Sequence, residues 1–152
     1  MDAGIFSVHL LKNSKLDILY GLDAWCLLNE RIYKNQEKAI AALSQFGERS
    51  KLIKGFSPGY AEQFADSFFD FIYIDADHHY DPFFRDIMAW WPKVKPGGIL
   101  AGHDYVAGHK GCSVIEAIGM FIKKYNLTLY LTRENVVTPP AEHLSWYVFK
   151  SA

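Results

Sequence analysis

The chain has 152 residues and a mass of 17.4 kDa, which fits one domain over 1–152, able to bury roughly 70% of its unfolded surface. Hydrophobic residues make up 50% and aromatic residues 16%. No apolar run approaches the ~18 residues of a membrane span, and the start lacks a signal peptide's charged and apolar segments, so a soluble cytoplasmic protein is expected. A formal charge of -1 gives no global attraction for nucleic acid or an anionic membrane, and neither is expected as a partner.

Residues 5–13, IFSVHLLKN, read as the remains of a helix, and 16–23, LDILYGLD, as a buried strand ending in an acid. Residues 29–46 place Ile32, Tyr33, Ala39, Ile40, Leu43 and Phe46 at helical spacing, with Gly47 as C-cap. SKLIKGF, 50–56, is a strand, and PGYAEQFADS a short helix with Pro58 in its first turn. FDFIYIDA, 69–76, is a nearly continuous apolar run of strand length, as expected of a parallel strand covered on both faces. YDPFFRDIMAWWPKV follows as a helix with Phe83, Phe84, Ile87, Met88 and Trp91 on one face, stopped by Pro92 and Pro96. GGILAGHD, 97–104, is the next strand, and Ser113 to Asn126 an amphipathic helix. LTLYLTRE and SWYVFKS close the chain as an antiparallel strand pair around NVVTPPAEH. Cys26 and Cys112 are far apart, without CxxC or Cys/His spacing, and read as reduced, buried thiols.

Strands alternating with helices predict an α/β Rossmann-like architecture: a mostly parallel sheet, helices on both faces and an antiparallel C-terminal pair. In such sheets ligands bind beyond the carboxyl ends of the strands. Asp23, Ser57, Asp75, Asp77, His103 and Asp104 all fall at or just after a predicted strand end, and are expected on one rim.

Asp23 follows Gly4 by 19 residues, the spacing at which an acid accepts hydrogen bonds from ribose hydroxyls; a cap on the next helix is an equal reading. Asp75, Asp77, His78 and His79 form DADHH, where carboxylates can hold a hard cation and imidazoles can take a proton near neutral pH. His103-Asp104 ends the strand after the turn KPGG and is expected beside Asp75 if the two strands are neighbours. Asp86 is expected at the solvent face or as a capping partner, Trp90 and Trp91 in packing, and His9, His109 and His143 as ordinary surface or packing residues. Tyr105 and Trp25 are left open as pocket flanks.

The stretch FDFIYIDADHHYDPFFRDIMAWWPKVKPGGILAGHDY resembles a class I S-adenosylmethionine-dependent methyltransferase, of the group whose pattern is strand, IDADH-x-Y, helix, W-x-x-(L/V)-x-PGG, strand, HD. The resemblance implies methyl transfer from S-adenosylmethionine to an oxygen or nitrogen of a small-molecule acceptor. It implies that Gly4, Asp23, Ser57 and Asp75 bind the cofactor, with Asp23 on the ribose, Ser57 near the adenine and Asp75 at the methionine end. His78 or His103 would serve as catalytic base. The group is also similar to metal-assisted O-methyltransferases, which implies Mg2+ or Mn2+ between Asp75 and Asp104. Tyr105 stands where those enzymes carry Asn, so His103 or Asp77 would supply the missing ligand.

Members of the group open with a strand and an acid-x-Gly-x-x-x-Gly loop, whereas this sequence opens MDAGIFSVHLL, on the last glycine of that loop. An N-terminally truncated sheet is therefore expected. Its gap would be closed by pairing the strand ending in Asp23 with the strand ending in Asp75, by residues 1–4, or by another copy in a homo-oligomer. The alternative function is a degenerate relative that binds no cofactor and acts as an oligomerising or interaction module. A nicotinamide-dependent oxidoreductase is disfavoured, since no GxGxxG follows a first strand.

Overall fold

The computed structural model describes residues 3–25, 30–108, 110–132 and 143–151, with side chains in the second helix described from residue 34 onward. The elements are α1 (Ile5–Asn13), β1 (Leu19–Asp23), α2 (Glu30–Ser44), β2 (Ser50–Lys54), α3 (Ser57–Ala61), β3 (Phe69–Ile74), α4 (Tyr80–Trp90), β4 (Val94–Tyr105), α5 (Val114–Tyr125), β5 (Tyr130–Leu131) and β6 (Leu144–Phe149). This is the mixed α/β, Rossmann-like order that the hydrophobic periodicity predicts. No helix among the described residues is long and apolar enough to cross a membrane.

The chain divides into two compact units, Met1–Tyr60 and Ala61–Ala152, and the strands form two sheets, β1-β2 and β3-β4-β6-β5. The pairing of β1 with β3 that the sequence left open is not formed among the described residues. In the first unit β1 and β2 run parallel, from Leu19 opposite Ser50 to Asp23 opposite Lys54. Helix α2 buries Ala39 and Leu43, while Ile40, expected on the same stripe, is 49% exposed. One residue in a helix turns about 100°, which carries Ile40 off the line joining Ala39 to Leu43. Gly4 precedes α1 with φ 78°, and a Cβ there would stand 3.2 Å from Ala39 Cα and 3.3 Å from Leu43 Cδ1. Both the left-handed backbone and the close approach to α2 call for glycine at this position.

In the second unit β3 and β4 are parallel, and β6 is antiparallel to both β4 and β5. Ile72, Leu100 and Val148 lie in one register row and Ile74, Gly102 and Trp146 in the next. These rows alternate with residues of the opposite face, as the pleat requires. Phe83 of α4 meets the Trp146 ring edge-on at 6.1 Å, and Phe121 of α5 meets Trp91 at 5.2 Å, which fixes both helices over a core of Leu100, Val148, Ile87 and Ile118. Asp86, expected at the solvent face, is 3% exposed. Buried Phe83, Ile87 and Trp90 recur at the three- and four-residue spacing of one face, and Asp86 belongs to that same face.

Strand β4 starts at Val94, before the predicted Gly97, because the KPGG turn is absorbed as a bulge: Phe69 pairs with Val94 and Phe71 with Ile99. Strand β5 is shorter than the predicted LTLYLTRE; Asn126 ends α5 in a left-handed cap, and residues 133–134 lie outside the described ones.

Lys150, just past β6, directs Nζ at the carbonyls of Trp91, Pro92 and Val94, at 3.1, 3.3 and 2.7 Å, and lies 5.3 Å from the Trp91 ring centroid. Trp91 O also accepts the Val94 N–H and Pro92 O the Ser67 N–H at 2.9 Å, so Lys150 adds charge-assisted hydrogen bonds to a junction that the backbone already ties together. Lys150→Met is expected to lower stability by about 2 kcal/mol, because the methionine keeps the packing stem while removing hydrogen bonds from a charged donor. Urea unfolding checks this, and an unchanged midpoint would show that the carbonyls are equally well served by water.

Candidate active site

Strand β3 stops where its apolar run meets DADHH. Asp77 turns the chain into α4: its Oδ1 accepts the His79 backbone N–H at 2.9 Å and meets His79 Nδ1 at 2.6 Å. The backbone hydrogen bond, followed by the imidazole one, holds the Asp77 carboxyl below the usual aspartate range. Its carboxylate is engaged by this turn, a common use of Asp just before a helix. His78, one residue on, turns the other way, and its carbonyl accepts the Ser113 N–H at 2.8 Å, tying this loop to the start of α5.

His78 Nε2 lies 2.8 Å from Asp104 Oδ2 and 3.5 Å from Asp75 Oδ1. The distances alone suggest ion pairs, yet this buried nitrogen has no hydrogen bond of acceptable geometry among the described residues. The angular criterion decides, because a hydrogen bond weakens steeply once the acceptor leaves the N–H axis. One ligand atom each from Asp75, His78 and Asp104 thus converge within 4.8 Å of one another. Two carboxylates and an imidazole so arranged could hold a divalent cation. The sequence looked to His103 or Asp77 for the third ligand; the geometry offers His78, since Asp77 is held by His79.

Asp104 sits near the end of β4 with φ 56°, in the left-handed region that non-glycine residues seldom occupy. Its side chain is 15% exposed and divides its oxygens. Oδ1 meets His143 Nδ1 in a short contact and His103 Nδ1 at 3.3 Å, while Oδ2 faces His78. Burial pushes the Asp104 carboxyl up, but the His143 hydrogen bond and the imidazoles of His78 and His103 outweigh burial and hold it below the usual range. The rings of His103 and His143 lie almost parallel, with centroids 6.2 Å apart. Cys112, free and half-buried, places Sγ 3.5 Å from the Asp104 carbonyl; Cys26 lies outside the described residues.

His143, read from the sequence as an ordinary residue, is therefore part of this cluster. Strand β6 is antiparallel to β4 with Leu144 opposite Tyr105, after an irregularity between Gly102 and Tyr105, so His143 arrives at the end of β4 and reaches Asp104 diagonally rather than as its register partner. Pairing SWYVFKS with GGILAGHD would have revealed it; the sequence suggested only the pairing with β5. Close by, Tyr73 Oη meets Ser145 Oγ at 2.9 Å. Burial raises the Tyr73 hydroxyl's pKa; the Ser145 hydrogen bond opposes this, while the charges of Asp75 and Asp104 add to it.

The second unit thus brings together Asp75, His78, His103, Asp104 and His143. Gly4, Asp23 and Ser57 belong to the first unit, at the start of α1, the end of β1 and the start of α3. Asp23 Oδ1 accepts the Trp25 N–H at 2.9 Å, which shapes the turn after β1. Tyr105 is half-buried, and His109 lies outside the described residues.

A family model described as a methyltransferase domain matches residues 2–105. Uncharacterized protein R132 of Acanthamoeba polyphaga mimivirus is 26% identical over 102 residues, covering 63% of this chain and 44% of its own length. The chain therefore spans less than half the length of that curated relative. The structure resembles the O-methyltransferase from Bacillus cereus, solved in complex with SAH, with a TM-score of 0.67 at 19% identity over 97% of this chain and 70% of that one. It also resembles an rRNA methylase from Streptococcus thermophilus, with a TM-score of 0.64 at 17% identity over 100% and 83%. At these identities the likeness is one of fold.

Proposed function

This chain belongs to the methyltransferase-domain family, and from that premise we propose that it transfers a methyl group from S-adenosylmethionine to an oxygen or nitrogen of a small molecule. The observation that carries the proposal is the convergence of Asp75, His78 and Asp104 just past β3 and at the end of β4. That is where an α/β sheet places its ligands.

The residues present fit a divalent cation, since the buried His78 Nε2 has no hydrogen-bond partner among the described residues and faces two carboxylates. Asp75, His78 and Asp104 would hold it, and such oxygen-rich donors suit Mg2+ or Mn2+. When bound, the cation would act as a Lewis acid on an acceptor hydroxyl. Methyl transfer to oxygen needs a group to take the acceptor's proton, and His103 is placed for that role. Its Nδ1 faces Asp104, which favours the tautomer that leaves an Nε2 lone pair available. In the first unit, Asp23 would accept hydrogen bonds from the ribose, Ser57 would lie near the adenine, and Gly4 would contribute to cofactor binding. Asp75 is a candidate for both the cofactor's ammonium and the cation; its 3.5 Å separation from His78 Nε2 favours the cation.

S-adenosylhomocysteine is expected to raise the thermal midpoint, and NAD to leave it unchanged, because a ligand bound only by the native state stabilises it. Asp23→Ala is expected to weaken S-adenosylhomocysteine binding by roughly 10- to 100-fold in calorimetry, the equivalent of a lost charge-assisted hydrogen bond of about 1.5–3 kcal/mol. A midpoint unmoved by saturating S-adenosylhomocysteine would overturn the proposal. Unmoved and accompanied by self-association in sedimentation, it would favour an interaction module.

A further inference from the structure

We propose that His143 is a positioning residue: it holds Oδ1 of Asp104 so that Oδ2 is kept facing His78 and Asp75. The inference rests on the cation reading above and adds a residue to it.

The last torsion of an aspartate side chain is broad and roughly two-fold, so the backbone alone does not determine which way its oxygens point. At Asp104 the two oxygens have different surroundings. Oδ2 lies 2.8 Å from His78 Nε2, and Oδ1 meets His143 and, more distantly at 3.3 Å, His103. A quarter-turn of the carboxylate would carry Oδ2 away from His78 and disperse the three convergent atoms. Of the two imidazoles on Oδ1, His143 is the nearer, with His103 at 3.3 Å. It also comes from a different strand, held in place by the pairing of Leu144 with Tyr105. His103 is the immediate neighbour of Asp104 and moves with it, so it cannot serve as an independent brace. Partners of this kind, which orient a ligand without touching the metal, typically change metal affinity by about 10- to 100-fold when removed.

The test is Mn2+ binding to the full chain, read by electron paramagnetic resonance without turnover, for the wild type and for His143→Phe, His143→Gln and His143→Asn. Phenylalanine removes the donor, and glutamine places its amide near the Nε2 position, out of reach of Oδ1. Asparagine restores an N–H close to the Nδ1 position. The expected result is a loss of Mn2+ affinity of about 10- to 100-fold in the first two variants and recovery of most of it in the third. Circular dichroism identifies a variant that fails to fold, and the glutamine variant, closest in size and polarity, then stands in for phenylalanine. Nitrogen-detected NMR of the metal-free wild type should show His143 protonated at Nδ1, with that signal displaced in Asp104→Asn. Wild-type binding with His143→Gln equally tight would overturn the positioning role alone. Absence of Mn2+ binding by the wild type at millimolar concentration would overturn the cation reading, and the positioning role with it.

Discussion

Asp104→Asn is expected to reduce methyl transfer by about 10²- to 10⁴-fold while the protein stays folded near neutral pH. Asparagine matches aspartate in shape but carries no charge and offers one acceptor in place of two. Asp104 is contacted by His143 and His103 on Oδ1 and by His78 on Oδ2, so one substitution weakens both the cation donor set and the orientation of His103. The measurement is S-adenosylhomocysteine release with whichever hydroxylated small molecule the wild type turns over in a panel. An unchanged rate would remove Asp104 from the chemistry. The same variant has a signature in acid. The Asp104 carboxyl is held below the ordinary range, so its contribution to stability is fully present above about pH 4, the unfolded aspartate value, and is lost as pH falls through its lower folded value. Asp104→Asn has no such contribution, so its deficit relative to wild type should shrink as pH falls below about 4.

Gly102→Ala is expected to cost about 3 kcal/mol or more, and Gly102→Val to prevent folding. A Cβ at this position would lie 2.5 Å from the Ile74 carbonyl oxygen and 2.7 Å from the Trp146 ring. Neither neighbour can yield easily: the carbonyl belongs to β3, paired in register with β4, and Trp146 is fully buried against Phe83. Overpacking a close-packed core typically costs 1–3 kcal/mol where side chains can adjust, and here one obstacle is backbone. Against the ~5–15 kcal/mol of a typical domain, that loss is large. Urea unfolding of Gly102→Ala decides it, and a midpoint equal to wild type would mean that β3 and β4 separate at little cost. The position also lies two residues before Asp104, so any shift of β4 here would disturb the carboxylate as well.

Of the two glycines at issue, Gly4 was read from the sequence as the last glycine of a cofactor loop and Gly102 as one residue of a strand, while the packing reasons for both lie in distant parts of the chain. A glycine states that a side chain is unwelcome without saying what would meet it. By contrast, the order of strands and helices followed from the sequence itself. FDFIYI reads as a strand from its apolar run, although within β3 only Ile74 is fully buried, and Phe83, Ile87 and Trp90 recur at helical spacing because α4 buries one face. Such periodicities arise from neighbours within a few residues and need no knowledge of the fold. Acids at strand ends were visible for the same reason, and so was the resemblance to methyltransferases carried by residues 69–105.

The roles within the cluster were decided by tertiary structure. Asp77 and His78 are neighbours in DADHH, yet one is bound into the turn that starts α4 and the other faces Asp104, a division set by local backbone direction that residue type does not encode. Asp86 was assigned to solvent by its charge and to the interior by its place on the buried face of α4. His143 shows the limit most clearly. It lies 39 residues from Asp104 in the chain, and they meet because β6 pairs antiparallel with β4 across an irregularity between Gly102 and Tyr105. Strand pairing is a long-range choice stabilised by the whole sheet, and no short stretch of sequence states which edge a strand will join.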